Sequence, residues 1–144
     1  MSSKQFPYSS FPIYKIKRAE RIALITDSLA LAGTDDKHGF MQDTEYIIED
    51  EVCKLMDRSA FTGSIATADR LVRVAAREAG IPLLDAIKMI TSTPAKIMSL
   101  ENKGHIASNM NADLVVFDEN ISIKHVFAKG TLVDTTHVER SAPS

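Results

Sequence analysis

The sequence has few of the residues that mark a secreted or membrane protein. Its single cysteine, Cys53, leaves no partner for an internal disulfide, which fits a reducing compartment. No apolar run approaches the roughly 18 residues of a membrane-spanning helix. Residues 1–17 contain no continuous apolar segment of the signal-peptide type. We therefore expect a cytoplasmic protein that has no membrane partner.

Strong charge and familiar ligand-binding motifs are also missing. Lys and Arg total 17 against 19 Asp and Glu, so the balance gives no general reason to expect nucleic acid as a partner. There is no phosphate-binding glycine-rich loop and no dinucleotide fingerprint. The four histidines form no His-x-His or His-x-x-x-His pair. A metal site built only from this chain is therefore not expected.

What is present indicates one soluble domain. The 144 residues are 44% hydrophobic and 25% charged, which is enough to bury a core. Residues 1–12 are predicted to be irregular, because Pro7, Pro12 and several serines interrupt them. The short apolar run Arg21–Asp27 is typical of a strand buried on both faces, as in a parallel sheet.

The middle of the chain predicts a hairpin followed by helices. Two apolar stretches, residues 46–48 and 52–56, flank an acidic triplet and suggest a hairpin with a short turn. Apolar residues recur at helical spacing from Ala68 to Ala79, and Gly80 ends that pattern. A further helix is predicted to start at Pro82, and the last at the pair Thr93-Pro94.

Beyond residue 101 the pattern changes to strands without a helix. We expect strands over residues 112–118, 123–127 and 131–133, and a polar tail after them. The predicted division of the chain is residues 1–12 (irregular), 13–100 (strand, hairpin and helices), 101–134 (β-rich) and 135–144 (tail).

Asp27 is the most informative candidate for chemistry. It ends an apolar run, and in α/β barrels the carboxyl ends of the strands carry the catalytic groups. A carboxylate there can take a proton from water and return it to a leaving group. On position alone, a structural role as the cap of a following turn is favoured. The segment Phe61–Ser64 precedes a helix, whose free N–H groups could meet an anion or a carbonyl, but this pattern is common without any ligand.

Three segments together resemble the N-acetylglucosamine-6-phosphate deacetylases. Residues 22–28 resemble the strand that carries the catalytic aspartate of that family. Residues 61–69 are similar to its Leu-Ala-Gly-Ser-x-x-Thr-x-Asp segment. Residues 93–96, 103–106 and 112–116 resemble the closing stretch shared across the amidohydrolase superfamily. The order and spacing fit from about Tyr14 to about Val133.

The resemblance implies an α/β fold and a reaction. The fold would be the C-terminal fragment of a metal-dependent-hydrolase (β/α)8 barrel, with residues 101–134 as part of a small β-sandwich. The reaction would convert N-acetylglucosamine 6-phosphate to glucosamine 6-phosphate and acetate, with a divalent metal of the zinc or iron type. By the same resemblance Asp27 would be the catalytic proton carrier. Phe61, Thr62 and Gly63 would help to bind the amino-sugar phosphate substrate.

The departures from that family predict that the chain is one piece of a longer hydrolase. The family's metal ligands, a glutamate and two histidines, lie upstream of the matched region, so the piece alone is expected to be inactive. Phe61-Thr62 replaces the commoner Leu-Ala, and Glu51 stands where a turn glycine is usual. A homo-oligomer is expected for the full-length form. Two alternatives stay open: a stand-alone binding domain without enzymatic activity, and an amidohydrolase for a related amino-sugar phosphate.

Overall fold

The computed structural model describes residues 6–133, with side chains from Pro12 onward. The predicted polar tail, residues 135–144, lies outside this range. Within it the chain has a mixed α/β structure that divides into two compact units. The helical unit comprises residues 6–24 and 69–133, and the hairpin unit comprises Ile25–Ala68.

The chain starts with a helix, α1 (Phe6–Lys17), followed by a 3-10 turn over Ala19–Arg21. The prediction of an irregular segment over residues 1–12 is therefore corrected from Phe6 onward. Pro7 lies in the first turn, where a helix does not use the N–H that proline lacks. Pro12 lies inside the helix and removes only one main-chain hydrogen bond.

The apolar run before Asp27 is not a strand of either sheet. Residues 22–27 form no ladder, and Ile25 is 75% exposed. The prediction of a strand buried on both faces is thus corrected for this structure. Strand geometry needs a hydrogen-bonded neighbour, and within residues 6–133 no other strand pairs with this run. Only Ser28, just after it, makes a bridge.

The hairpin unit is a four-stranded antiparallel sheet in the order β1 (His38–Met41), β2 (Thr44–Glu49), β3 (Val52–Leu55) and β4 (Phe61–Gly63). The predicted hairpin is confirmed as β2 and β3, with Glu49 opposite Val52. Its core is the cluster of Tyr46, Ile48 and Cys53. Cys53 is fully buried, and that burial raises the pKa of its thiol, as expected for a packing residue.

The helical unit contains α2 (Ala68–Arg73), α3 (Leu83–Ile90) and α4 (Ser92–Ile97). A π-helical turn, Val74–Glu78, extends α2, and the chain leaves it through Gly80 at φ +67°. The three predicted helices are therefore confirmed, although α4 starts one residue before Thr93. No helix within residues 6–133 is long and apolar enough to cross a membrane. The core residues of this unit are Ala19, Val72, Ala75, Ala79, Ile81, Ala86, Met89 and Ile121.

Three antiparallel strands complete the helical unit: β5 (Leu114–Phe117), β6 (Ile123–Ala128) and β7 (Thr131–Val133). They confirm the strands predicted after residue 101. Residues on both sides of position 101 belong to the same compact unit. The subdomain boundary expected there stays a prediction.

Candidate functional site

Asp27 is the last residue of the apolar run, and its backbone conformation is uncommon for a residue other than glycine. Its φ is +49°, in the left-handed region, and the residue is exposed. Few residues other than glycine adopt this region, although Asp is among those that tolerate it. The carboxylate is therefore accessible to water. Contacts with neighbouring residues stabilise the left-handed conformation of its backbone.

The main chain around Asp27 pairs with the residues that follow β4. The Asp27 carbonyl accepts a hydrogen bond from the Ser64 N–H at 3.2 Å. The Leu29 N–H donates to the Ser64 carbonyl at 2.9 Å, which makes a parallel bridge between Ser28 and Ser64. Since Ser64 follows Gly63 directly, the fold brings Asp27 next to the other predicted site residues.

Two serine side chains reinforce this pairing. The Ser28 hydroxyl donates to the carbonyl of Ala66. The Ser64 Oγ accepts a hydrogen bond from the Ala66 N–H at 2.8 Å. Ser28 was not among the residues predicted from the sequence to form the site. Its position directly after Asp27 in the matched segment is the one sequence feature that could have singled it out.

Strand β4 carries two side chains, those of Phe61 and Thr62, which differ in exposure. Phe61 is 59% exposed, so its ring offers an apolar face to solvent. Thr62 is half-buried, and its Oγ1 is buried with no hydrogen-bond partner among the described residues. Buried hydroxyls normally have a partner, so a water or a ligand atom can satisfy this one.

Gly63 is required by the close approach of the neighbouring segment. A Cβ at this position would lie 2.9 Å from the Cγ of Leu29. That distance is too short for two carbon atoms, so a side chain at residue 63 would displace the Leu29 side chain. Gly63 therefore lets the Leu29 side chain pack directly against the backbone of β4.

Four charged groups of the hairpin unit, those of Glu49, Asp50, Lys54 and Arg58, form ion pairs with one another. Lys54 is the cross-strand partner of Phe61, and its ammonium lies 3.6 Å from Glu49 and 3.2 Å from Asp50. The guanidinium of Arg58 donates to both carboxylate oxygens of Glu49, at 2.6 and 3.0 Å. This hydrogen bonding holds the pKa of Glu49 below its ordinary value. These ion pairs stabilise the sheet. Asp27 is one of several exposed carboxylates of the unit, and its main-chain pairing with Ser64 singles it out as the candidate for proton transfer.

Comparison with known proteins places the chain in a family. Residues 20–136 match the amidohydrolase family. The chain belongs to this family. The match includes Asp27 and β4, and therefore every predicted site residue.

Relatives of this amidohydrolase chain include deacetylases of sugar phosphates. It is 28% identical over 127 residues to the N-acetylgalactosamine-6-phosphate deacetylase of Shewanella sp. (strain ANA-3), covering 88% of this chain and 32% of the relative. It is 27% identical over 125 residues to the N-acetylglucosamine-6-phosphate deacetylase of Lysinibacillus sphaericus, covering 83% and 30%. The predicted resemblance is thus confirmed.

A solved structure agrees. The N-acetyl-D-glucosamine-6-phosphate deacetylase of Mycobacterium smegmatis, in complex with N-acetyl-D-glucosamine-6-phosphate, superposes with a TM-score of 0.81 at 26% identity. The superposition covers 88% of this chain and 34% of that structure. The chain therefore spans about a third of the length of the relatives that it matches.

Amidohydrolases are generally metal-dependent, and such a metal needs ligands among the side chains around the site. A catalytic zinc site typically takes about three protein ligands. Within residues 12–133 no group of three His, Cys, Asp or Glu side chains lies close enough to hold a metal ion. His38, which is exposed at the start of β1, has no such group around it. The described residues therefore do not fit a metal on their own.

Proposed function

We propose that this chain is the C-terminal part of a hydrolase that removes the acetyl group from an N-acetylhexosamine 6-phosphate. The products would be acetate and the amino-sugar phosphate, which is glucosamine 6-phosphate for the gluco substrate. In this proposal residues 13–100 contribute the last strand and flanking helices of a (β/α)8 barrel. Residues 101–134 contribute the C-terminal share of a β-sandwich. We place the longer protein in the cytoplasm, and we expect it to be a homo-oligomer.

The observation that carries this proposal is the pairing of Asp27 with the residues after β4. It sets an exposed carboxylate beside a strand with an exposed aromatic ring and a glycine. Asp27 would take a proton from the attacking water as the water oxygen bonds to the acetamide carbon. It would then return the proton to the nitrogen as the carbon–nitrogen bond breaks.

The strand beside Asp27 would bind the sugar. The exposed ring of Phe61 can pack against the apolar face of a sugar, and Gly63 permits close approach of the main chain. A divalent metal in such hydrolases activates water and polarises the carbonyl. The described residues do not supply its ligands, so no step of this proposal runs through it.

The relatives favour a substrate class rather than one sugar. One relative is named for the galacto substrate and another for the gluco substrate. The two sugars differ in the direction of a single hydroxyl. We therefore keep an amidohydrolase for a related amino-sugar phosphate as the second candidate.

A chimera tests the proposal. The matching C-terminal region of the Lysinibacillus sphaericus enzyme is replaced by this chain, and acetate release is measured with both N-acetylhexosamine 6-phosphates. Release from either one supports the proposal, and the ratio of the two rates identifies the preferred sugar. The chimera must be folded and its metal content measured. A folded, metal-loaded chimera that releases acetate from neither substrate contradicts the proposed function.

A further inference from the structure

The backbone of Asp27 needs an explanation that the proposed reaction does not supply. Asp adopts a left-handed conformation more readily than most residues, and contacts with its surroundings fix that conformation in the fold. Asp27 is exposed, so burial does not hold it. The contacts of the next residues must do so.

Two main-chain hydrogen bonds hold the residues on either side. The carbonyl of Asp27 and the N–H of Leu29 both bond to the main chain of Ser64. These bonds flank Ser28, which makes only an isolated bridge and not a ladder. An isolated bridge has no neighbouring hydrogen-bonded residue pairs to stabilise it, so side-chain hydrogen bonds contribute more to its stability.

The side-chain bonds at this bridge converge on one residue, Ala66. The Ser28 hydroxyl donates to the Ala66 carbonyl, and the Ser64 Oγ accepts from the Ala66 N–H. We call these three residues the serine clamp. Both serines of the bridge are thus tied to the same short turn. The clamp therefore joins the segment of Asp27 to the segment that continues from Gly63.

We propose that Ser28 is a positioning residue, which holds Asp27 at a fixed orientation to β4 through the serine clamp. This inference rests on the proposed function, in which Asp27 transfers protons at a substrate bound beside Phe61–Gly63. Ser28 itself touches the Ala66 carbonyl and acts through the backbone of Asp27. Proton transfer depends steeply on geometry, and a displacement of about 1 Å can cost about a hundredfold in rate.

The kinetic test uses the chimera described above. Ser28→Ala removes the hydroxyl and is expected to lower kcat about 10-fold to 100-fold, with KM changed less than about threefold. Ser28→Thr keeps a hydroxyl and is expected to restore most of the rate. Ser92→Ala is the matched control, because the Ser92 hydroxyl also bonds a main-chain carbonyl, that of Lys88 at 3.5 Å, but lies in α4.

A change in KM alone, or an equal loss in Ser28→Ala and Ser28→Thr, would overturn the positioning role. An unchanged kcat in Ser28→Ala would also overturn it. General destabilisation is excluded by requiring equal melting temperatures for the variants that are compared.

Hydrogen exchange measured by mass spectrometry tests the clamp without activity. Ser28→Ala is expected to speed exchange about tenfold at the N–H groups of Leu29 and Ser64, both in the full chain and in the chimera. Ser28→Thr and Ser92→Ala should leave these rates unchanged. Unchanged exchange in Ser28→Ala contradicts the clamp. Faster exchange in a chimera that never releases acetate supports the clamp but rejects both the proposed function and the positioning role.

Discussion

At the residue scale, Asp27 is the position on which the proposed chemistry depends. We predict that Asp27→Asn in the chimera lowers turnover by about a hundredfold to ten-thousandfold and leaves substrate affinity largely intact. An amide cannot accept the proton of water, so the loss should fall on the chemical step. Turnover and the substrate dissociation constant are measured for both forms.

Asp43→Asn is the control for Asp27→Asn, because Asp43 is also an exposed carboxylate of the hairpin unit, in the turn between β1 and β2. It should leave turnover unchanged. Near-normal turnover in Asp27→Asn would contradict the catalytic role and indicate that Asp27 only caps a turn. A parallel collapse of binding would indicate a structural role instead.

Ile121 combines a strained backbone with a buried side chain that stabilises the core. It is a β-branched residue at φ +62°, yet it is 2% exposed and belongs to the core of the helical unit. The guanidinium of Arg73 donates to its carbonyl at 3.0 Å, which holds the loop between β5 and β6. The contacts of the buried side chain offset the backbone strain.

We predict that Ile121→Ala lowers the free energy of unfolding by about 2–5 kcal/mol, because it removes buried methyl groups and leaves a cavity. Part of the backbone strain stays, since alanine also has a Cβ that disfavours the left-handed region. Urea denaturation measures the change. Ile106→Ala, at a position that is 87% exposed, should cost less than about 0.5 kcal/mol. Equal costs at the two positions would contradict the packing role of Ile121.

At the element scale, the hairpin of β2 and β3 turns through two acidic residues on left-handed backbone. Asp50 has φ +52° and Glu51 has φ +61°, and they are the two residues between the paired Glu49 and Val52. A two-residue turn with both φ values positive matches the twist of the strands but favours Asn, Asp or Gly. Glu51 is therefore the unfavourable member of this turn.

We predict that Glu51→Gly raises the free energy of unfolding by about 0.5–1 kcal/mol. Relief of the left-handed penalty, about 1–2 kcal/mol, should exceed the added freedom of glycine in the unfolded chain, about 0.5–1 kcal/mol. Glu45→Gly, at an exposed position within β2, is the control and should destabilise. The melting temperatures of the unsubstituted chain, Glu51→Gly and Glu45→Gly are compared. A lower melting temperature for Glu51→Gly than for the unsubstituted chain would contradict the predicted relief of strain.

At the scale of the whole molecule, the proposed function requires that this chain supply only part of a catalytic apparatus. Amide hydrolysis needs an activated water and a polarised carbonyl. The described residues offer one candidate proton carrier and no three-ligand group. The chain also spans about a third of its relatives.

We predict that the isolated chain releases no acetate from N-acetylglucosamine 6-phosphate, with or without added zinc or iron. Acetate is measured with a coupled assay, and the active chimera serves as the positive control. Chelator-sensitive release above background would contradict the prediction. A sharp monomer peak and a cooperative melt, together with no release from the chimera, would favour the stand-alone binding domain.

Much of the fold could be predicted because it depends on local patterns. The repeat of apolar residues from Ala68 predicts α2, and the alternation around the acidic turn predicts β2 and β3. The strands after residue 101 follow from short apolar runs between turn residues. Position in the sequence singled out Asp27 and the segment Phe61–Ser64, but the roles of the four candidate site residues came only from the resemblance to a family, because an exposed carboxylate and a short strand are common features.

The sequence by itself determined the helices after residue 68, the strands β2, β3 and β5 to β7, and membership of the amidohydrolase family, but not β1 or β4. Only the tertiary structure decided the state of Arg21–Asp27 and the pairing of Asp27 with Ser64. The physical reason is that a strand exists only with a hydrogen-bonded neighbour, which comes from distant residues. The spacing of apolar residues predicts which residues of a segment are buried. It does not predict which N–H group bonds to which distant carbonyl, and such main-chain hydrogen bonds hold Asp27 beside β4.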